Sequence, residues 1–149
     1  YRQRSDIHAI VHSHGFWATS QAAFARPLRI FANVTTPFYG KTCISPNDDF
    51  ASIGPALGED DIAIVIPWHG VITLGPSVAE AVALHTTFDY GARQDVMLPE
   101  NTPTMPEAQI KEIADMVNGT GYYQHTWDLV KRTGKQCFDG KRVWPRPMT

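Results

Sequence analysis

His12 and His14 stand two positions apart in His12-Ser13-His14-Gly15, directly after the apolar run IHAIV at 7–11. In an extended chain the side chains at i and i+2 leave on the same side. Two imidazoles therefore project together from the end of a strand, and neutral imidazole nitrogens suit zinc and other late first-row ions. A polar strand end turned to solvent would use the same residues. The apolar run before the pair and the glycine after it place the pair at the mouth of a core strand instead. His69, in Pro67-Trp68-His69-Gly70, interrupts two further apolar runs at 62–66 and 71–74. A histidine followed by glycine at such a break either faces a cavity or is a hydrogen-bonded core residue.

Other titratable residues offer less. His85 falls in the apolar stripe of a helix, where a hydrogen-bonded packing role is expected. His8 shares a strand face with His12 and reads as structural or as support behind it. His125 lies in the tail and reaches a site only by folding back. Asp48 and Asp49 sit in a polar loop and read as turn formers, and Asp60 and Asp61 read as solvated. Cys43 and Cys137 form no CxxC pair, so they are neither a zinc knuckle nor a redox motif, and two reduced thiols are expected.

The elements that must position the histidines follow from the pattern. Residues 7–11 and the β-branched run 62–66 read as buried strands, the latter covered on both faces. VITL at 71–74 resumes as a strand. FWATSQAAFA, ahead of Pro27, has helical composition, and LRIFANV at 28–34 reads as another strand. Residues 35–61 gather Pro, Gly, Asn and Asp, and predict loops with a short strand at 42–44 and a helical turn at 51–57. Ser77 with Glu80 makes a capping box for a long helix ending before Pro99. Val78, Ala81, Val82, His85, Phe88, Ala92 and Val96 share its apolar face. Thr104 with Glu107 makes a second capping box, for a helix carrying Ile110, Ile113, Ala114 and Val117 and ending at Asn118-Gly119. The tail, 121–149, predicts a short helix near 124–133 and an irregular end with Pro145 and Pro147. Strands and helices mix as in an α/β sandwich, in one domain over 1–149.

Composition sets the outer bounds. With 43% hydrophobic and 19% charged residues, the chain matches an ordinary globular domain. A net charge of −2 gives no electrostatic reason to expect nucleic acid or an anionic membrane as partner. No apolar run approaches the roughly 20 residues that span a bilayer, and no signal peptide is visible, so a cytoplasmic location is expected. The chain opens on YRQRSD without an initiator Met, and the expectation is that an upstream segment was removed or sits on another chain.

Two blocks carry a family resemblance. RSDIHAIVHSHG is similar to the stretch ending in H-x-H in the class II aldolase/adducin superfamily. DDIAIVIPWHGVITLGPSVAEAVALHTTFDYGAR resembles that superfamily's strand, His-Gly, strand and long helix. The likeness runs over roughly 4–98, and the two blocks stand in the family's order and spacing. It implies a three-layer α/β/α sandwich around a central, mainly antiparallel sheet. It also implies that His12, His14 and His69 bind one divalent metal, zinc first, with iron or manganese as alternatives. Three protein ligands leave positions open for substrate, the arrangement of catalytic zinc. In the family's enzymes the metal holds the oxygens of a hydroxy-carbonyl substrate and, as a Lewis acid, stabilises the enediolate formed when a C–C bond breaks. Adducin heads lack this histidine set, which favours an enzyme over a scaffold.

Departures from the family pattern bear on the rest. The resemblance places the aldolases' catalytic glutamate and their phosphate-binding segment upstream of the position matching Tyr1, so this chain is expected to lack its main acid/base. Asp89 stands where the family commonly has Glu. Phe16, Trp17 and Trp68 flank the histidines. As pocket residues they suit a flat apolar or aromatic substrate better than a sugar phosphate; as core residues they are ordinary packing. Phe38 and Tyr39 lie in the intervening loop. Family members are ring-like tetramers with sites between subunits. The epimerase branch has a functional Tyr in a C-terminal Tyr-Tyr pair, which makes Tyr123, next to Tyr122, a candidate catalytic residue. The loop at 35–50 is expected at the same interface. The reading is a metal-dependent lyase acting by aldol cleavage or decarboxylation on a small hydroxy-carbonyl or hydroxy-acid. Its rivals are an aromatic-acid decarboxylase or a non-haem iron oxygenase on this fold, and a non-catalytic adducin-like binding module.

Overall fold

The computed structural model describes residues 3–138. The irregular end expected near Pro145 and Pro147, and the thiol of Cys137, lie outside the described residues. Four strands form one sheet in the order β1-β4-β3-β2. These are β1 (Ala9–Ser13), β2 (Thr42–Ile44), β3 (Ala63–Ile66) and β4 (Gly70–Gly75). The β1–β4 and β4–β3 pairs are antiparallel and β3–β2 is parallel, so the sheet is mainly antiparallel. Every residue of β3 and β4 is buried, as the unbroken β-branched run requires.

Alternation along the strands splits the apolar side chains between two faces. Ala63, Val65 and Val71 face α1 (Phe16–Ala22) and α3 (Val78–Met97) and join Ala18, Ala22, Leu84, Phe88 and Ala92 in the main core. Phe88 meets Phe38 edge-to-face, with ring centroids 5.3 Å apart, a geometry worth about 0.5–1.5 kcal/mol beyond burial. Ile64, Ile66, Ile72 and Leu74 point the other way. With Ile7, and with Ile53 and Leu57 at α2 (Phe50–Ala56), they form a second cluster. Helices therefore flank the sheet on both sides. Two further helices, α4 (Glu107–Gly119) and α5 (Tyr122–Phe138), complete the described chain. Among the described residues no helix is long and apolar enough to cross a membrane.

Four local expectations are corrected. Residues 28–34 are not a strand. Leu28 and Ile30 alternate into the core as a strand would, but Arg26 and Arg29 turn to the buried Asp95 of α3, and the chain coils into a 3-10 helix at Asn33–Phe38. There the Thr35 and Thr36 hydroxyls donate to the carbonyls of Ala32 and Asn33, which competes with strand pairing. The helix that carries Ile110 starts after Pro106, not at Thr104, and lacks a side-chain cap. The buried face of α3 runs through Ala81, Leu84, Phe88, Gly91 and Asp95, while Val78 is exposed. Ser77 does cap α3, accepting from Glu80 N. The tail helix is longer than 124–133.

Candidate metal centre

His12 and His14 sit at the end of β1, which pairs with the start of β4. Strand alternation sends Ser13 toward α3 and the two imidazoles away from it. His69 ends the tight connection between β3 and β4. Ile66 pairs with Gly70, and His69 N donates to Ile66 O at 3.1 Å. Trp68 occupies the left-handed region in that turn, at φ 59°, a costly conformation for a bulky residue that is sustained only where the surroundings enforce it. Gly70 is required. A Cβ there would run into the Ser13 carbonyl oxygen and stand 3.2 Å from the His14 ring.

The three rings converge. Their centroids are 4.8 Å (His12–His14), 5.2 Å (His12–His69) and 4.7 Å (His14–His69) apart. One nitrogen from each lies within 4.8 Å of the others. His12 Nδ1 is 3.1 Å from the Val71 carbonyl oxygen, which can only accept, so Nδ1 carries the proton and Nε2 presents its lone pair. His12 Nε2 and His14 Nε2 are 3.0 Å apart. Two lone pairs cannot face each other at that distance without a proton or a cation between them. The donor set therefore fits a late first-row divalent ion, with a backbone carbonyl fixing the His12 tautomer as in other histidine metal sites.

Behind the strand end, Ser13 is held by a half-buried relay. Thr73 Oγ1 donates to Ala81 O at 2.9 Å, so it accepts from His85 Nδ1 at 3.2 Å. His85 Nε2 then accepts from Ser13 Oγ at 2.6 Å. Burial lowers the His85 pKa, against the pull of Asp89 and with a further push from His12, which keeps this imidazole neutral. His85 thus packs and positions, as its place on the helix implies. Asp89 accepts from Ala18 N at 3.2 Å and so fixes the start of α1 just after His14-Gly15.

The carboxylates of the 46–49 loop divide. Asp49 caps α2 by accepting from Ser52 N at 2.8 Å, as a turn former should. Asp48 turns instead to His69, its Oδ2 3.7 Å from Nε2. Local pattern makes Asp48 a turn former only, because it is the parallel placement of β2 beside β3 that brings the loop to the β3–β4 turn. Beside it, Ile10, Phe50, Ile53, Ile64 and Ile72 line an apolar groove of about 240 Å³.

The aromatic candidates separate too. Phe16 and Trp68 are 73% and 80% exposed, each next to the histidine segment. Trp17 packs on the main core with Arg93 over its ring. Phe38 is buried in the core. Tyr123 is not brought to the histidines of its own chain. It packs with Lys41, Ile62, Glu80 and Leu84, at the end of β3 opposite His69, and its hydroxyl donates to Asn118 Oδ1 at 3.0 Å. Cys43 is free, and burial above all pushes its thiol up to about 12, so it offers no thiolate at neutral pH.

Residues 1–96 match the model of the family described as the Class II Aldolase and Adducin N-terminal domain. No curated protein matches the chain by sequence. Among solved structures, an L-fuculose 1-phosphate aldolase from Glaciozyma antarctica PI12 superposes with a TM-score of 0.76 at 21% identity, over 91% of this chain and 56% of its own. An aldolase II superfamily protein from Pseudomonas syringae gives a TM-score of 0.68 at 18% identity, over 92% of this chain and 60% of its own. The chain thus spans less than two thirds of the length of either relative.

Proposed function

The chain belongs to the class II aldolase and adducin N-terminal domain family, and on that premise we propose that it is the metal-binding core of a lyase. The reaction is cleavage of a C–C bond, by aldol cleavage or decarboxylation, in a small hydroxy-carbonyl or hydroxy-acid substrate. The observation that carries this reading is the convergence of His12, His14 and His69 on one point. These three would hold one divalent cation, with zinc preferred by the all-nitrogen donor set and iron or manganese as alternatives. A cation bound there supplies Lewis acidity, stabilising negative charge on substrate oxygens as the bond breaks.

The remaining work falls to the protein. The Val71 carbonyl holds His12 in the tautomer that leaves Nε2 free, and Gly70 lets the β3–β4 turn approach Ser13 closely enough to bring His69 in. Phe16 and Trp68 offer exposed aromatic surface for an apolar part of the substrate, with Trp17 bracing Phe16 at a ring distance of 5.0 Å. Tyr123 would serve as a proton donor only in the site of a neighbouring subunit of a homo-oligomer, a tetramer in our reading.

A substrate panel with defined metals tests the proposal. Zinc-loaded protein is expected to release a carbonyl fragment or carbon dioxide from hydroxy-carbonyl or hydroxy-acid substrates, slowly in the absence of the main acid/base expected outside residues 1–149, and the metal-free protein to be inactive. Oxygen uptake with iron would move the assignment to an oxygenase. Tight metal binding with no turnover under any condition would leave a binding module and overturn the lyase reading.

A further inference from the structure

We propose that His85 is a positioning residue of the metal centre, holding His14 in place from behind β1 through the Ser13 hydroxyl; this rests on the three histidines holding the metal. The three are not fixed alike. His12 is paired with Ile72 in the ladder, and the Val71 carbonyl oxygen orients its ring. His69 closes the β3–β4 turn, with its N–H on Ile66 O. His14 lies one residue past Ser13, the last paired residue of β1. Among the described residues its ring has no hydrogen-bond partner except His12 Nε2, itself an atom that faces the ion.

One hydroxyl makes up for this. Ser13 leaves the strand on the side opposite the two imidazoles and reaches α3. Its Oγ donates to His85 Nε2 at 2.6 Å and accepts from Gly15 N at 3.4 Å. These contacts bracket His14, at the residue before it and the residue after it. The longer one exceeds the usual N–H···O range of about 2.7–3.2 Å, so the short bond to His85 sets where the hydroxyl sits. His85 is anchored in turn. Its Nδ1 donates at 3.2 Å to Thr73, a fully buried residue of β4, the strand that pairs with β1. Ligands must be held to about 0.5 Å to share one ion. A residue past the last ladder pair does not meet that tolerance unaided.

Cobalt(II), titrated into the full chain against a chelating indicator, tests this through affinity and visible d–d bands. His85→Leu removes the acceptor and keeps an apolar side chain in its place. It is expected to weaken binding by about 10–100-fold, the cost of a lost outer partner, and to weaken and shift the bands as water replaces His14. His85→Gln, which can present an acceptor in place of Nε2, is expected to restore much of both. Ser13→Ala should give the same loss as His85→Leu, and the double variant no further loss, because both substitutions break one link. Should His85→Leu not fold, Ser13→Ala against Ser13→Thr makes the same comparison. Unchanged affinity and bands, or losses that add in the double variant, would overturn the assignment. So would a lower melting temperature of the metal-free His85→Leu chain with unchanged bands, which marks packing alone. Failure of the wild-type chain to take up cobalt would instead overturn the three-histidine centre itself.

Discussion

His12 Nδ1 lies 3.1 Å from the carbonyl oxygen of Val71, the residue directly across the ladder from Ser13. The pairing of β1 with β4 therefore does two things at once: it closes the sheet and it sets the His12 tautomer. Elemental analysis is expected to find one divalent ion per chain. His12→Ala, His14→Ala and His69→Ala should each lower affinity by roughly 100-fold or more, beyond the 10–100-fold that outer partners cost. A chain that stays metal-free after purification without chelators, and that metal addition cannot load, would remove the basis for the centre.

Gly70 couples the fold to the site. A methyl group there meets backbone, which cannot rotate away, so the β3–β4 turn must shift from β1. Gly70→Ala is expected to cost about 1–3 kcal/mol, the usual range for overpacking, and to lower the melting temperature by several degrees. Metal affinity should fall with it, because the displaced turn carries His69. Calorimetry and metal titration of one sample check both. A fall in stability with affinity intact would separate the turn from the centre.

Much of this was legible because a few residues speak locally. The i and i+2 histidines before a glycine, the β-branched run at 62–66 and the Ser77 cap each report their surroundings without help from distant chain. Segment 28–34 misled because Leu28 and Ile30 do alternate, yet no strand edge meets them; helices and Asp95 do. Thr104 misled because a capping pattern does not say which residue begins the helix, and Glu107, after Pro106, begins it. Asp48 and Asp49 read alike as neighbours in a polar loop. A local N-cap gives Asp49 to α2, and only the parallel β2–β3 pairing, invisible in local pattern, brings Asp48 to His69.

Asp95 holds the segment that the sequence misassigned. Its side chain is fully buried, with Arg26 at 2.7 Å and Arg29 at 2.6 Å. Burial opposes its ionisation, but the hydrogen bonds from Arg26 and Arg29 outweigh that and hold its pKa below the usual carboxylate value. A carboxyl depressed in the folded state stabilises the fold above its unfolded pKa of about 3.9. That stability is lost as pH falls through the folded pKa. Asp95→Asn strands two guanidinium groups and is expected to cost about 3–5 kcal/mol near neutral pH. In urea melts at several pH values, the gap between wild type and variant should be constant above pH ~5 and shrink below pH ~4. A gap that does not change with pH would mean that shape, not charge, is what Asp95 supplies.

Tyr123 and His69 sit at opposite ends of β3, so a catalytic partnership between them requires two subunits. Burial, with Glu80 and Tyr122 adding, raises the phenol pKa and keeps Tyr123 protonated, the form in which it can donate. Tyr123→Phe should leave metal affinity unchanged, since no ligand is touched. It should lower turnover by about 10²–10⁴-fold, the usual weight of acid–base catalysis. His69→Ala should abolish turnover for a different reason, loss of the metal. Two defects on different sides of one interface complement each other. Co-refolding the two variants in equal amounts should restore up to about one quarter of wild-type activity, the chance in a symmetric ring that a site draws its histidine from one variant and its tyrosine from the other. Light scattering of the wild-type chain should show an oligomer at the same concentration. No recovery on mixing, or full activity in Tyr123→Phe alone, would confine Tyr123 to packing α5 against α3.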